Sequence, residues 1–314
     1  MTNIFKIFVG VITLLTIFSC GSSKQNFSFF AIGDMPYNVP EDYERFEHVI
    51  TAINEQDPAF TVHVGDIKGG SSPCTDAVFE KLYDYFQEFK NPVILTPGDN
   101  DWTDCHRKGA GEYDPVERLE QLRSVFYKDR KSMGQTKLDL HTQDTYPGYE
   151  KFVENALWEQ KKILFATLHV VGSNNNFNPD NPADNTEFNE RNTANLFWLE
   201  EVFRQAKNRN SQGLVLFLHA GMNYADSDQS GFKDFTKKLR QEVLNYENPV
   251  LLVYGDHHRF LIEKPLRNDD GRVVKNFTSL MVFGNPDMHA VQISVNRKYD
   301  ALFEIRQHFI KEAE

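Results

Sequence analysis

Residues 96–102 read TPGDNDW, Thr-Pro-Gly-Asp-Asn-Asp-Trp, directly after the apolar run 92–95. The run therefore ends by presenting two aspartates and an asparagine in one glycine-containing turn. Three other runs end in the same way: FFAIGD at Asp34, FTVHVGD at Asp66 and LLVYGD at Asp256. Chance composition gives about one Gly-Asp pair in such a chain. Four are present, and each closes an apolar stretch of β type.

Outward from these turns the chain alternates between two periods. Strands are predicted over 28–32, 59–64 and 92–95. Helices are predicted over 41–56, where Phe46, Val49, Ile50 and Ile53 share one face, over 76–89, and from Asp114-Pro115 to about Tyr127. The middle predicts a hairpin over 151–158 and 162–171, then the polar loop GSNNNFNPDNPADN and a long helix over 188–208. Strands over 214–218, 250–254, 277–283, 291–295 and 302–305 complete the pattern. The fold class that follows is α/β, with two β-sheets sandwiched between helices in four layers, as a single domain over 27–314. In open α/β sheets ligands bind beyond the carboxyl ends of the strands. Four Gly-Asp turns spread along the chain can converge there.

The chain of 314 residues carries a formal charge of −11. That balance offers no basic surface for nucleic acid, and it directs any phosphate chemistry toward bound cations rather than a Lys/Arg cradle. The N-terminus has Lys6, the apolar run 7–18 and then Cys20 before Gly-Ser-Ser-Lys-Gln. The placing of Cys20 resembles the lipobox of bacterial lipoproteins, which implies a signal peptide over 1–19, an acylated Cys20 and a tether over 20–26. The protein would then be exported and lipid-anchored to a bacterial membrane; an ordinary secretory signal or an N-terminal membrane anchor are the other readings. Cys74 and Cys105 remain, both in loops shortly after Gly-Asp turns. In an oxidising compartment such a pair forms a disulfide; as soft metal ligands they would need further cysteine or histidine nearby.

Gathered aspartates repel and raise one another's pKa, and divalent cations are the usual compensation. Histidine joins the pattern at His219, which ends LVLFLH, and at His258 in YGDHHRF. In this order the motifs resemble the calcineurin-like metallophosphoesterases, a superfamily that includes the purple acid phosphatases. The resemblance implies a double-sheet sandwich and a two-metal site. Matched position by position, it makes Asp34 a ligand of metal one, Asp66 the bridging carboxylate and His219 a ligand of metal two. Asp256 stands at the first histidine of the family's GHxH motif, on metal two, and His258 at the second, on metal one.

The same comparison places Asp99 where the family has an asparagine ligand. It places Asn100 where the family has a histidine near the leaving group, and Asp101 at the acidic residue that orients it. Pro36 stands at a ligating histidine; Tyr37 or a water would fill that place. The two added carboxylates favour Mn²⁺, Fe or Mg²⁺ over Zn²⁺. Loss of a general acid at 100 removes a contribution worth ~10²–10⁴-fold in rate, so good leaving groups suffer least; His169, His257 and His106 are the candidate substitutes. Asn100 and Asn174 are candidate donors to substrate, the loop 172–185 is a candidate for substrate selection, and Arg107 is either a phosphate contact or part of a solvated loop. The expected activity is metal-dependent hydrolysis of a small phosphate mono- or diester. The alternative is a catalytically weak metal-binding lipoprotein with a binding or structural role.

Overall fold

The computed structural model describes residues 26–222, 224, 227–296 and 301–311. The expectations about Cys20 and the segment before it lie outside these residues. A first sheet contains β1 (Phe27–Ile32), β2 (Thr61–His63), β3 (Val93–Leu95), β11 (Ala290–Val295) and β12 (Phe303–His308), in the order β12-β11-β1-β2-β3. A second contains β4 (His141–Thr142), β5 (Ala156–Gln160), β6 (Ile163–Thr167), β7 (Gly213–Phe217), β8 (Val250–Tyr254), β9 (Leu261–Glu263) and β10 (Phe277–Met281), in the order β4-β5-β6-β7-β8-β10-β9. β1, β2 and β3 run parallel, as do β6, β7, β8 and β10.

The period-2 pattern of the strands assigns each side chain to a layer. Phe29 and Ala31 of β1 pack with Phe165, Val215 and Phe217 between the two sheets. Phe30 and Ile32 of the same strand face the opposite way, onto Phe46, Val49 and Ile53 of α1 (Glu41–Glu55), Phe79 and Leu82 of α2 (Asp76–Gln87) and Leu122 of α3 (Pro115–Phe126). On the far side, Leu164, Leu214 and Leu216 meet Trp198 and Val202 of α5 (Thr186–Asn208) and Phe235 and Leu239 of α6 (Lys233–Leu244). These four layers match the sequence expectation.

Several boundaries differ. The hairpin is shorter than predicted, because Glu154 and Asn155 turn inward as buried polar groups before β5 begins. The helix α6 and the short strands β4 and β9 are additional to the reading from sequence. The Asn-rich loop is not wholly on the surface: Asn175 and Asn185 are buried. It begins with α4 (Gly172–Asn175), a single turn in which Ser173, Asn174, Asn175 and Asn176 all have φ between 48° and 57°. Left-handed backbone costs roughly 1–2 kcal/mol per ordinary residue, less for asparagine. Here the conformation is held by the buried Arg191, which donates to the Asn175 side-chain and main-chain oxygens at 2.6 and 2.9 Å. No helix among the described residues is long and apolar enough to cross a membrane.

Candidate metal centre

The carboxyl ends of parallel strands from both sheets meet at one place. β1 delivers Asp34, β2 Asp66, β3 Asp99, β7 His219 and β8 Asp256. The turns are made by the aspartates themselves, since Asp34, Asp66 and Asp256 adopt left-handed φ values of 55°, 56° and 77°. Glycine is required for a different reason at Gly255, where a Cβ would lie 2.4 Å from Asp34 Oδ2. Of the glycines in the four turns, Gly65 alone has positive φ, 94°, and its Cβ would be 2.5 Å from Gly98 N.

Asp66 faces two ways. Its Oδ2 accepts from Tyr37 Oη at 2.7 Å on the Asp34 side, and its Oδ1 lies 3.4 Å from His219 Nε2. On the second side His219 Nε2 is 2.9 Å from Asp99 Oδ1, and Asp256 completes a set whose donor atoms lie within 4.8 Å of one another. Asp34, Asp66 and His219 form another such set. His258 approaches from the rim, with Nε2 3.5 Å from Asp34 Oδ1. Both histidines have their other nitrogen assigned by a backbone carbonyl: His219 Nδ1 by Val64 O and His258 Nδ1 by Asn285 O, each at 2.9 Å. A ring that donates through Nδ1 presents a bare Nε2, the tautomer that ligates metal.

The electrostatics fit a cation. Burial, reinforced by the charges of Asp256 and Asp99, pushes Asp34 up to about 7, although the His219 charge and the Asp256 backbone act against it. Burial likewise holds Asp66 well above the carboxylate range. Burial would lower His219, but Asp66, the Asp99 hydrogen bond and Asp34 hold it well above its ordinary value. Burial also tends to raise Asp99, but the His219 bond and charge and the Ser173 hydroxyl outweigh it and hold it low. Nε2 and the carboxylate are both acceptors, so a proton or a cation must lie between them, and oxygen-rich donor sets of this kind suit divalent ions.

Behind the ligands, Asp101 is fully buried and accepts from Gly98 N, Asp66 N and Ile67 N at 2.7, 3.0 and 2.8 Å. It ties the second and third Gly-Asp turns together. Ser173 Oγ donates to Asp99 Oδ2 at 2.7 Å and lies 3.2 Å from Asp104 Oδ1. Asn100 donates from its backbone N to Asp66 Oδ1 at 2.9 Å and from Nδ2 to Asp66 Oδ2 at 2.6 Å. Buried Lys68 donates to the carbonyls of Gly69 and Ser72 beneath this loop. The Cys74–Cys105 disulfide joins the loops that follow the second and third turns. Residues 27–260, which contain every candidate ligand, match the calcineurin-like phosphoesterase family profile. The chain belongs to that family.

No curated protein matches the chain in sequence. Among solved structures, this calcineurin-like phosphoesterase is similar to a dimetal phosphatase from Danio rerio, at 10% identity and a TM-score of 0.55, covering 91% of this chain and 99% of that one. It is also similar to GAP50, the anchor in the inner membrane complex of Plasmodium, at 11% identity and a TM-score of 0.52, covering 92% and 90%. A third likeness is to purple acid phosphatase PPD1 from yellow lupin, at 13% identity and a TM-score of 0.52, covering 90% and 51%. At these identities the likeness is one of fold.

The remaining candidates divide. Arg107 pairs with Asp104 at 2.7 Å and is 46% exposed. A Cβ on Gly70 would meet Asn100 Oδ1 at 2.6 Å and Arg107 Nη1 at 2.7 Å, so the guanidinium and the amide converge over that glycine. His257 stands at the rim, 52% exposed and 3.9 Å from Asp256 Oδ2. His169 is corrected: it is fully buried, its Nδ1 2.7 Å from buried Glu154 and its ring against Trp102, so it is not placed to protonate a leaving group. Asn174 is corrected too, because its Nδ2 donates to Phe177 O and Gln229 O while its Oδ1 accepts from Gly231 N; the amide braces the loop. His106 turns back to the Thr103 carbonyl at 2.7 Å.

Proposed function

We propose that this protein hydrolyses phosphate mono- or diesters with two divalent cations, one held by Asp34, Asp66 and His258 and the other by Asp66, Asp99, His219 and Asp256. The observation that carries the reading is the position of Asp66, whose two oxygens face two different donor sets. Bound there, such ions supply positive charge to a phosphoryl group and acidify water. The chain's own contribution is orientation. Arg107, fixed by Asp104, presents a guanidinium on one side of the centre, where it can hold phosphate oxygens; the Asn100 amide, expected to donate to substrate, instead gives both its hydrogens to Asp66 and Tyr37 and fixes the bridging carboxylate.

Asn100 cannot donate a proton as an imidazolium would. His257 at the rim is the remaining imidazole positioned for that role, and aryl esters and anhydrides, which leave without strong protonation, are the favoured substrates. The carboxylates Asp99 and Asp256 favour Mn²⁺, Fe or Mg²⁺ over Zn²⁺. Export and a lipid anchor through Cys20 belong to the same proposal, with a small phosphoester as substrate.

The test is hydrolysis of bis-p-nitrophenyl phosphate and p-nitrophenyl phosphate with added Mn²⁺, beside Asp66→Asn. Metal-dependent turnover that the variant lowers by at least ~10²-fold, the smallest loss expected for a group acting in the transition state, supports the enzyme. Two bound ions without turnover on either ester favours the binding protein.

A further inference from the structure

A concavity of about 360 Å³ opens between α6 and the segment 265–267, in the helix layer that covers the second sheet. Ligand pockets begin at about 300 Å³. None of the residues lining it is a candidate metal ligand. Lys233, Lys237 and Arg240 line it from α6, at spacings of four and three that put them on one helical face. Arg267 adds a fourth cation, and no acidic side chain among the described residues lines the space. In a chain of formal charge −11 this is a local reversal of sign, and a cleft lined by one sign of charge concentrates the other.

The four cations are not equally engaged. Lys233 pairs with Asp228 and Arg240 with Asp269, but these aspartates are 89% and 92% exposed, and such pairs are weak. Lys237 and Arg267 have no acidic partner among the described residues. Arg267 is nevertheless fixed in place. Its Nη1 donates to Lys264 O at 2.6 Å and Leu266 O at 3.0 Å, and its own carbonyl accepts from Arg240 Nε at 2.7 Å. The Nε–Nη2 edge is left over, the fork that takes two oxygens of a phosphate. Tyr224 packs its ring on the core beside the cavity, and its hydroxyl has no partner among the described residues.

We propose that this concavity binds the dianionic group of an organic phosphate monoester, at a site separate from the metal centre. The two cations without acidic partners match the charge of about −2 that such a group carries at neutral pH. The Arg267 fork and the Lys237 ammonium take its oxygens, Tyr224 donates to one of them, and the organic part lies on Pro265 and Leu266. Tyr224 belongs to the loop that runs from His219 to α6. In that loop the Gln229 and Gly231 carbonyls accept from Asn174 and Asn175, so a bound ester touches the chain that leads to a candidate metal ligand.

The probe is phenylphosphonate, a phosphate monoester analogue that cannot be hydrolysed. It is titrated calorimetrically into the full-length protein, kept metal-free with EDTA at mildly alkaline pH. Benzenesulfonate, a monoanion of similar shape, is the control. One saturable site is expected, unchanged in Asp66→Asn and weakened about tenfold or more in Arg267→Gln, in Lys237→Gln and for the sulfonate. Absence of saturable binding, its loss in Asp66→Asn, or full retention in both the Arg267 and Lys237 variants overturns the site. Equal binding of the sulfonate overturns the dianion assignment. The same group can be free or carried on a lipid, so sedimentation with phosphatidic acid vesicles is compared with phosphatidylcholine vesicles. Sedimentation that Arg267→Gln abolishes assigns the group to a lipid; phenylphosphonate binding without it assigns a soluble ester. Equal unfolding midpoints show that the variants fold.

Discussion

At the residue scale the centre is defined by how each carboxylate oxygen is occupied. Asp99 offers Oδ1 to the His219 side and gives Oδ2 to Ser173. Asp66 divides its oxygens between both sides. Ser173 is not itself a candidate ligand; it fixes the aspartate that is. Removing such an outer partner typically costs 10–100-fold in metal affinity. Ser173→Ala is therefore expected to weaken retention of one of two Mn²⁺ ions by about that factor while the other ion and the metal-free unfolding midpoint are unchanged. Titration calorimetry with Mn²⁺ reads this directly; equal affinities in variant and wild type would remove Ser173 from the centre. None of this was legible from sequence, because the contact joins residues far apart in the chain through a left-handed turn. The six candidate ligands were legible, since each ends an apolar run or lies in a motif beside one.

At the element scale, strands place the ligands and loops lock them. β2 shows both roles: its last residue, His63, is buried, with Nε2 3.1 Å from Met35 O behind the first Gly-Asp turn. Burial lowers His63 to about 3. A base with a folded pKa below its unfolded value binds its proton more readily in the unfolded chain. Its contribution is present in full above pH ~6.5 and is lost as pH falls toward ~3, at about 1.4 kcal/mol per pH unit. His63→Gln keeps a donor for the Met35 carbonyl and has no such titration. Its stability in urea should fall less steeply between about pH 6 and pH 4, by up to that slope; parallel curves would show that His63 is not held neutral. The helix α6 was missed, although Phe235, Leu239 and Val243 recur every fourth residue and are buried. Its many charges masked a legible period. The strands β4 and β9, of two and three residues, gave no such signal.

At the scale of the whole molecule, function depends on bringing two sheets into register at one edge. Sheet-to-sheet hydrogen bonds do this at the site itself: His219 Nδ1 to Val64 O at 2.9 Å, and Asp256 N to both oxygens of Asp34 at 3.1 Å. The sandwich was readable because alternating strand residues bury both faces, and a polar centre was readable because four strands end in aspartate. Tyr37 and Asp101 stood out in the sequence, whereas Asn285, which fixes His258, and Ser173, which fixes Asp99, meet their partners only once the chain has packed. The central claim, that this edge is a two-metal centre bridged by Asp66, is tested most directly by metal content. The purified protein, equilibrated with Mn²⁺ and freed of loosely bound ion, is expected to hold about two ions per chain, and Asp66→Asn at most one. A wild type that holds none, or a variant that still holds two, would contradict it.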